Sequence, residues 1–145
     1  MAENGAGYCT QDDVEQIYGA ANVAKWADLD NLGNVVTIAA RIAAAIAWAC
    51  NEIDSRFRKF IYDLPLANAE GDTPLEVTNI AATLVGVWLY ENRGIQDFNP
   101  DTGASVHKLE WNRRRAERTM REILSSTRTL DAVTRAGTTP AGQDD

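Results

Sequence analysis

VVTIAARIAAAIAWACNEIDSRFRKFIYDLPL, residues Val35 to Leu66, carries the reading that decides the fold. Ile38, Ile42, Ala45, Ile46, Ala49, Ile53 and Phe57 recur at helical spacing, so a helix over about 35–59 has one apolar face. Ala39, Ala40, Ala43, Ala44 and Ala47 widen its low-profile surface. Small residues let neighbouring helices approach closely, which predicts that this is the central helix of a bundle. Trp48 and Cys50 lie off the main stripe, placed to touch a second helix or another subunit. Arg41 interrupts the stretch once and is expected to face water or a carboxylate. Pro65 disfavours helix at Leu64, so the chain must turn there.

Outward from this stretch the pattern stays helical. Thr10 reads as an N-cap followed by Asp12 and Asp13, acids that suit the positive end of a helix dipole. Val14, Ile17 and Tyr18 give one buried face, and Gly19 is a natural stop, so a short helix is expected over 10–18. A second short helix would hold Val23 and Trp26. Asp28 to Asn34 reads as a loop. Asp28, Asp30 and Gly33 match positions 1, 3 and 6 of an EF-hand, but Leu32 and Ala39 stand where positions 5 and 12 need ligands, so a turn explains the run better.

Thr73 and Pro74 open a helix over about 74–92, with Leu75, Ile80, Leu84, Val87 and Trp88 as its stripe. Gly86 sits inside it, at a cost of about 1 kcal/mol relative to alanine. Close packing against another helix would explain that cost. Residues 93–105 form a loop containing Ile95 and Phe98, two apolar residues without an evident home. A last helix is expected over 105–125, with Val106, Leu109, Ala116, Met120, Ile123 and Leu124 facing the core. The predicted fold is all-α: a small bundle with one long central Ala-rich helix, a short N-terminal helix and an extended flexible C-terminal tail. Its expected boundaries are a disordered N-terminus over 1–7, a helical domain over 8–124 and the tail over 125–145.

The chain has 145 residues and a net charge of −7, which suits one domain and argues against general affinity for nucleic acid. The acids concentrate in residues 1–72, with 11 against 5 bases, whereas residues 73–145 carry 10 against 9. Cys9 and Cys50 form no CxxC pair and read as reduced thiols. The N-terminus lacks the basic and apolar regions of a signal peptide, and the longest uncharged run, Val77 to Tyr90, is too short to cross a bilayer. A soluble intracellular protein without membrane contact is expected.

Chemistry is sparse. His107 is the only histidine and has no second ligand in view. No nucleophile elbow, P-loop, zinc-protease or dinucleotide motif occurs, and no acid–base pair converges. No catalytic residue, cofactor or metal is expected. Two charged clusters remain. Arg56, Arg58 and Lys59 lie among Phe57, Phe60 and Tyr62, a mixture able to stack on single-stranded nucleic acid but also suited to closing a helix end. Arg113, Arg114, Arg115, Arg118 and Arg121 alternate with Glu110, Glu117 and Glu122. Here Glu110–Arg114 and Glu117–Arg121 are expected i,i+4 pairs, with Trp111 as a possible interface anchor.

The order of segments resembles a known family. Tyr8-Cys9-Thr10-Gln11-Asp12-Asp13-Val14 is followed by Ile17-Tyr18-Gly19 and then by the Asp-rich turn. Next come Asn51-Glu52-Ile53-Asp54 at a helix end, Leu64-Pro65-Leu66, and Pro74 opening a helix. This series, over about residues 8–92, is similar to the Mu-type phage head–tail adaptor (connector) family. Tyr18 replaces the family's usual Phe, Ile61-Tyr62-Asp63 replaces a simpler step, and residues 93–105 and those past Leu124 have no counterpart in short members.

The resemblance implies a virion protein of the neck between head and tail, made in the host cytoplasm. It implies a homo-oligomeric, often dodecameric, ring between the portal protein and a stopper or tail-completion protein, with DNA passing through the lumen unread. By the same resemblance the C-terminal segment would dock on the portal, here through Thr127, Arg128, Leu130, Val133 and Arg135. Candidate subunit or partner contacts are Trp48, Arg56, Arg58, Lys59, Ile95, Phe98, Trp111, Arg113, Arg114, Arg115, Arg118 and Arg121. The competing expectation is a small helical DNA-binding or packaging-associated protein that uses Arg56–Lys59 and Arg113–Arg121.

Overall fold

A computed structural model describes residues 7–93 and 109–134. Among them lie five helices: α1 Gln11–Tyr18, α2 Ala20–Ala27, α3 Val35–Phe57, α4 Leu75–Asn92 and α5 Glu110–Leu124. The described residues form no strand, only one antiparallel bridge between Tyr62 and Thr134. The all-α bundle is therefore the one the sequence predicts. The expected N-terminal disorder up to Ala6, Ile95, Phe98, Val106, His107 and residues 135–145 lie outside the described residues.

Local chemistry sets the helix starts. Thr10 caps α1 reciprocally: its hydroxyl accepts from the Asp13 amide while the Asp13 carboxylate accepts from the Thr10 amide at 2.8 Å. Gly19, at φ 91°, ends α1 and begins α2, a backbone conformation that a Cβ would strain. The Asp28 carboxylate accepts from the Leu32 and Gly33 amides at 3.2 and 3.0 Å, so it closes a turn. The Asn34 side chain then caps α3 by accepting from Val36 and Thr37.

The hub of the bundle is α4, not α3. Val77, Ile80, Ala81, Ala82, Leu84, Val85, Gly86, Val87, Leu89 and Tyr90 are all buried. Such burial around most of the circumference requires neighbours on several sides. Gly86 faces Tyr18 of α1, and Tyr90 meets Trp26 of α2 edge-on at 5.4 Å between centroids. Trp88 faces Trp48 of α3, and Glu91 pairs with Arg113 of α5. The smaller residues of α3 could not reveal this, because its apolar stripe covers only one side: Ile42, Ala45, Ala49, Ile53 and Phe57. By length and apolar composition alone α3 could cross a membrane. In the bundle that stripe packs into the common core.

Two apolar residues assigned to inward faces lie outside. Leu75 is 71% exposed because Pro74 and Val77 make the inward contacts of the first turn of α4, and Leu75 points away from them. Ile17 is exposed because α1 turns Val14 and Tyr18 inward.

The C-terminal boundary also moves. Residues 125–134, expected as the start of a free tail, lie against the body. Leu130 is 2% exposed, and its amide donates to the Tyr62 hydroxyl at 3.1 Å. The Asp63 amide donates to the Val133 carbonyl at 2.9 Å, and the Val133 amide donates to the Ala67 carbonyl at 2.8 Å. The Ser- and Thr-rich composition hides this, because one buried leucine, two backbone bonds and the bond to the Tyr62 hydroxyl do the anchoring. At the other end, Tyr8 fastens the N-terminal segment. Its hydroxyl donates to Asp54 and accepts from the Leu66 amide at 3.0 Å, next to a cis Leu64–Pro65 peptide.

A Cβ at position 86 would meet Tyr18 Cε2 at 2.0 Å. Gly86→Ala is therefore expected to destabilise the fold by about 1–3 kcal/mol despite its better helix propensity. In a Tyr18→Ala background the same change should be neutral or stabilising, and denaturant unfolding of the four proteins checks this. Tyr62→Phe leaves the buried Leu130 amide without its acceptor and should cost about 1–3 kcal/mol. Hydrogen exchange at Leu130 should accelerate accordingly.

Candidate functional site

The candidate residues divide into those the fold consumes and those it leaves outside. Arg56 is consumed. It forms a two-pronged pair with Glu117 of α5, its Nη2 donating to Oε2 at 2.9 Å, and Glu52 stands one turn away at 3.6 Å. This carboxylate neighbourhood, the Glu117 hydrogen bond first, raises the Arg56 pKa further. The expected Glu117–Arg121 pair does not form, because Glu117 turns to α3 instead. Arg113 pairs with Glu91. Arg114 pairs with Glu110 at 3.0 Å as expected, with its guanidinium 5.8 Å from the Trp111 ring centre. Arg128, expected on a portal-docking tail, pairs with Glu122 at 2.9 Å. Leu130 is in the core, and Arg135 lies outside the described residues.

Arg58, Lys59, Thr127 and Val133 are exposed around the helix end and the C-terminal strap. Phe57, Phe60 and Tyr62 pack on one another at 6.3 and 5.7 Å, so the aromatics close the core. They are not presented as a stacking platform, with Phe57 and Tyr62 buried.

Two outer surfaces remain. The first is the outward face of α3, where Val36, Ala40, Ala43, Ala44, Ala47 and Asn51 are exposed. Val35, Val36 and the preceding Leu32 are each 77% exposed, an apolar tip at the start of the helix. From Val35 to Asn51 the only charge is Arg41. That side chain stacks over Trp88, 5.3 Å from the ring centre, rather than meeting a carboxylate. Its Nε is buried without a hydrogen-bond partner. Trp48 lies beside it, partly exposed and 6.2 Å from Trp88.

The second surface is α5, with Trp111 73% exposed and Arg114, Arg115, Arg118 and Arg121 exposed along it. Glu117 and Glu122, which could neutralise its arginines within the helix, are held by Arg56 and Arg128.

Sequence reasoning missed Arg93. Its guanidinium donates to the carbonyls of Lys25 and of Asp28, the latter at 2.8 Å, and to Asn31 Oδ1 at 2.7 Å. It ties the end of α4 to the exit of α2 and holds the loop that starts α3. No local pattern signals such a role, since the partners are backbone carbonyls far away in sequence.

The described residues contain no group of three or more metal-ligating side chains. Cys9 and Cys50 are free thiols. Cys50 Sγ accepts from the Tyr8 amide at 3.2 Å. Burial pushes the Cys9 thiol up to about 12, helped by Cys50 and Asp13 nearby, and burial also raises Cys50. Low-pKa nucleophilic chemistry needs the opposite shift.

The protein family described as Bacteriophage Mu, Gp36, matches residues 8–145. No curated protein and no solved structure matches the chain. The match extends past the motif series at 8–92 to take in α5 and the C-terminal residues.

The Cys9 thiol has its pKa raised in the folded chain from an ordinary 9.0 to about 12. Its protonated form is thus favoured by folding, a stabilisation fully present below pH 9 and lost as pH rises toward 12. The melting temperature should fall across that alkaline window, and less steeply in Cys9→Ala. Alkylation of Cys9 at neutral pH should be slow until the chain is unfolded.

Proposed function

The chain belongs to the Bacteriophage Mu Gp36 family of phage proteins, and from that membership we propose that it is a structural subunit of the head–tail connector. It acts without catalysis, as one member of a homo-oligomeric ring between the portal and the stopper or tail. The observation that carries this reading is the family match over nearly the whole chain, combined with the ordered adaptor-like motifs from Tyr8 to Leu66.

The physical character of the chain supports it. A ring subunit needs a body that holds its shape while its outer faces bind copies of itself and different neighbours above and below. Here polar side chains at the edge of the core fasten one element to another: Tyr8 on Asp54, Arg56 on Glu117 and Arg93 on three oxygens. The uncharged outer face of α3 and the Trp111–arginine face of α5 are left for other chains. A net charge of −7 suits a conduit, because acidic walls repel phosphates and let DNA slide where basic walls would grip it.

One observation favours a second reading. Arg115, Arg118 and Arg121 have no ion-pair partner among the described residues, as in a helix that contacts phosphates. A packaging-associated DNA-binding protein would bind duplex with a steep salt dependence.

Cryo-electron microscopy of virions distinguishes the two. The connector reading expects density for this chain at the vertex between portal and tail, and an amber mutant that accumulates heads without tails. Its absence from the vertex, together with salt-sensitive duplex binding by the purified protein, would replace that reading with the second.

A further inference from the structure

The charge arrangement on α5 is asymmetric in a way the fold does not need. Glu117 is i+4 from Arg121, and Glu122 is i+4 from Arg118, so each could form a helical ion pair. Neither does. Glu117 reaches Arg56 on α3, and Glu122 reaches Arg128 on the C-terminal strap. Arg118 and Arg121 are left exposed beside Trp111, without an ion-pair partner among the described residues. A net acidic protein thus presents an uncompensated basic face.

The matching acids lie on another helix. Residues 1–24 contain no base, and α1 carries Asp12, Asp13 and Glu15. Asp13 is engaged in the capping box, the Glu15 carboxylate accepts from the Gln11 side-chain Nε2, and Asp12 is exposed. Asp12 and Glu15 are three residues apart, as are Arg118 and Arg121. On a helix surface that spacing places side chains on neighbouring turns, so two helices can pair both charges at once. Within one chain these pairs are not made: α1 comes near α5 at Tyr18, whose hydroxyl feels Arg115, but among the described residues no ion pair joins Asp12 or Glu15 to Arg118 or Arg121.

We propose that the Arg118–Arg121 face of α5, anchored by Trp111, docks on the Asp12–Glu15 face of α1 of a second copy. Where each copy uses the two patches on different neighbours the contact is heterologous, and the chain of copies closes into a ring if the rotation permits. The net charge of −7 weighs against nucleic acid as the occupant, since the chain as a whole repels phosphate. This deepens the connector reading by naming the contact between neighbours.

The test is sedimentation of the full chain at high concentration and low salt. The wild type should self-associate, and added salt should weaken it. Arg118→Glu with Arg121→Glu, and separately Asp12→Lys with Glu15→Lys, should each weaken association by at least ~10-fold, because like charges then face each other. An equimolar mixture of the two variants should recover wild-type association, since every junction in an alternating array is again attractive. Unchanged circular dichroism melts show that both variants fold.

The proposal is overturned if the wild type stays monomeric, if neither reversal weakens association, or if the mixture does not recover. It is likewise overturned if the arginine reversal abolishes duplex DNA binding and leaves association intact. A chain that passes this test yet is missing from the virion neck defeats the connector reading alone. A neck protein whose association ignores both reversals defeats the contact alone.

Discussion

The ring of Tyr18 lies directly on the backbone of α4 at Gly86, and its hydroxyl donates to the Thr83 carbonyl at 2.8 Å. Burial removes the ring from water and raises the hydroxyl pKa, so the neutral phenol is the form the contact holds. Nothing bulkier than glycine fits beneath it. The helix gives up about 1 kcal/mol of propensity at Gly86, and the buried aromatic more than offsets that. Once α1 is seated, Tyr18, Trp26 and Tyr90 follow as an edge-to-face series that brings α2 onto the same side. Arg93, one residue past α4, then reaches the carbonyls at the end of α2 and fixes the loop from which Asn34 starts α3. The placement of the first three helices thus hangs on one missing side chain.

With α1 and α2 on one side of α4, α3 and α5 take others. A bidentate bridge, Arg56 to Glu117, joins these two beside the core they share. That bridge has a consequence at the surface. The carboxylates that would have quieted the arginines of α5 are drawn inward or toward the strap, so the basic character of the helix appears on its outer side. The apolar outer face of α3 arises in the same way: its larger residues are committed to the core, and alanines remain. Both surfaces are by-products of how the interior is satisfied.

Much of this was legible locally. Thr10, Asn34, Gly19 and Pro65 announce starts and stops through capping and backbone chemistry. The 3.6-residue period of Ile42, Ala45, Ala49, Ile53 and Phe57 identifies the buried side of α3. Periodicity carries no directional information where a helix is buried on most sides. A helix buried nearly all round shows no stripe, so α4 looked less central than the longer, more patterned α3, and Leu75 was assigned to a face that does not exist. The composition of the C-terminal strap suggests a free tail, whereas Leu130 and a few backbone bonds hold it to the body.

The sequence by itself determined the helices, their ends, the all-α class, the absence of known catalytic motifs and the order of motifs that leads to the phage family. These are properties of short windows, governed by backbone preference and side-chain periodicity. Only the tertiary structure decided which helix is the hub, which arginines are spent on internal carboxylates and which stay outside. The physical reason is competition. Each of Glu117, Glu122 and Glu91 can serve one of several bases, and each takes the partner that folding brings into reach, from another helix or another segment. Proximity in sequence proposes such pairs, and packing disposes of them.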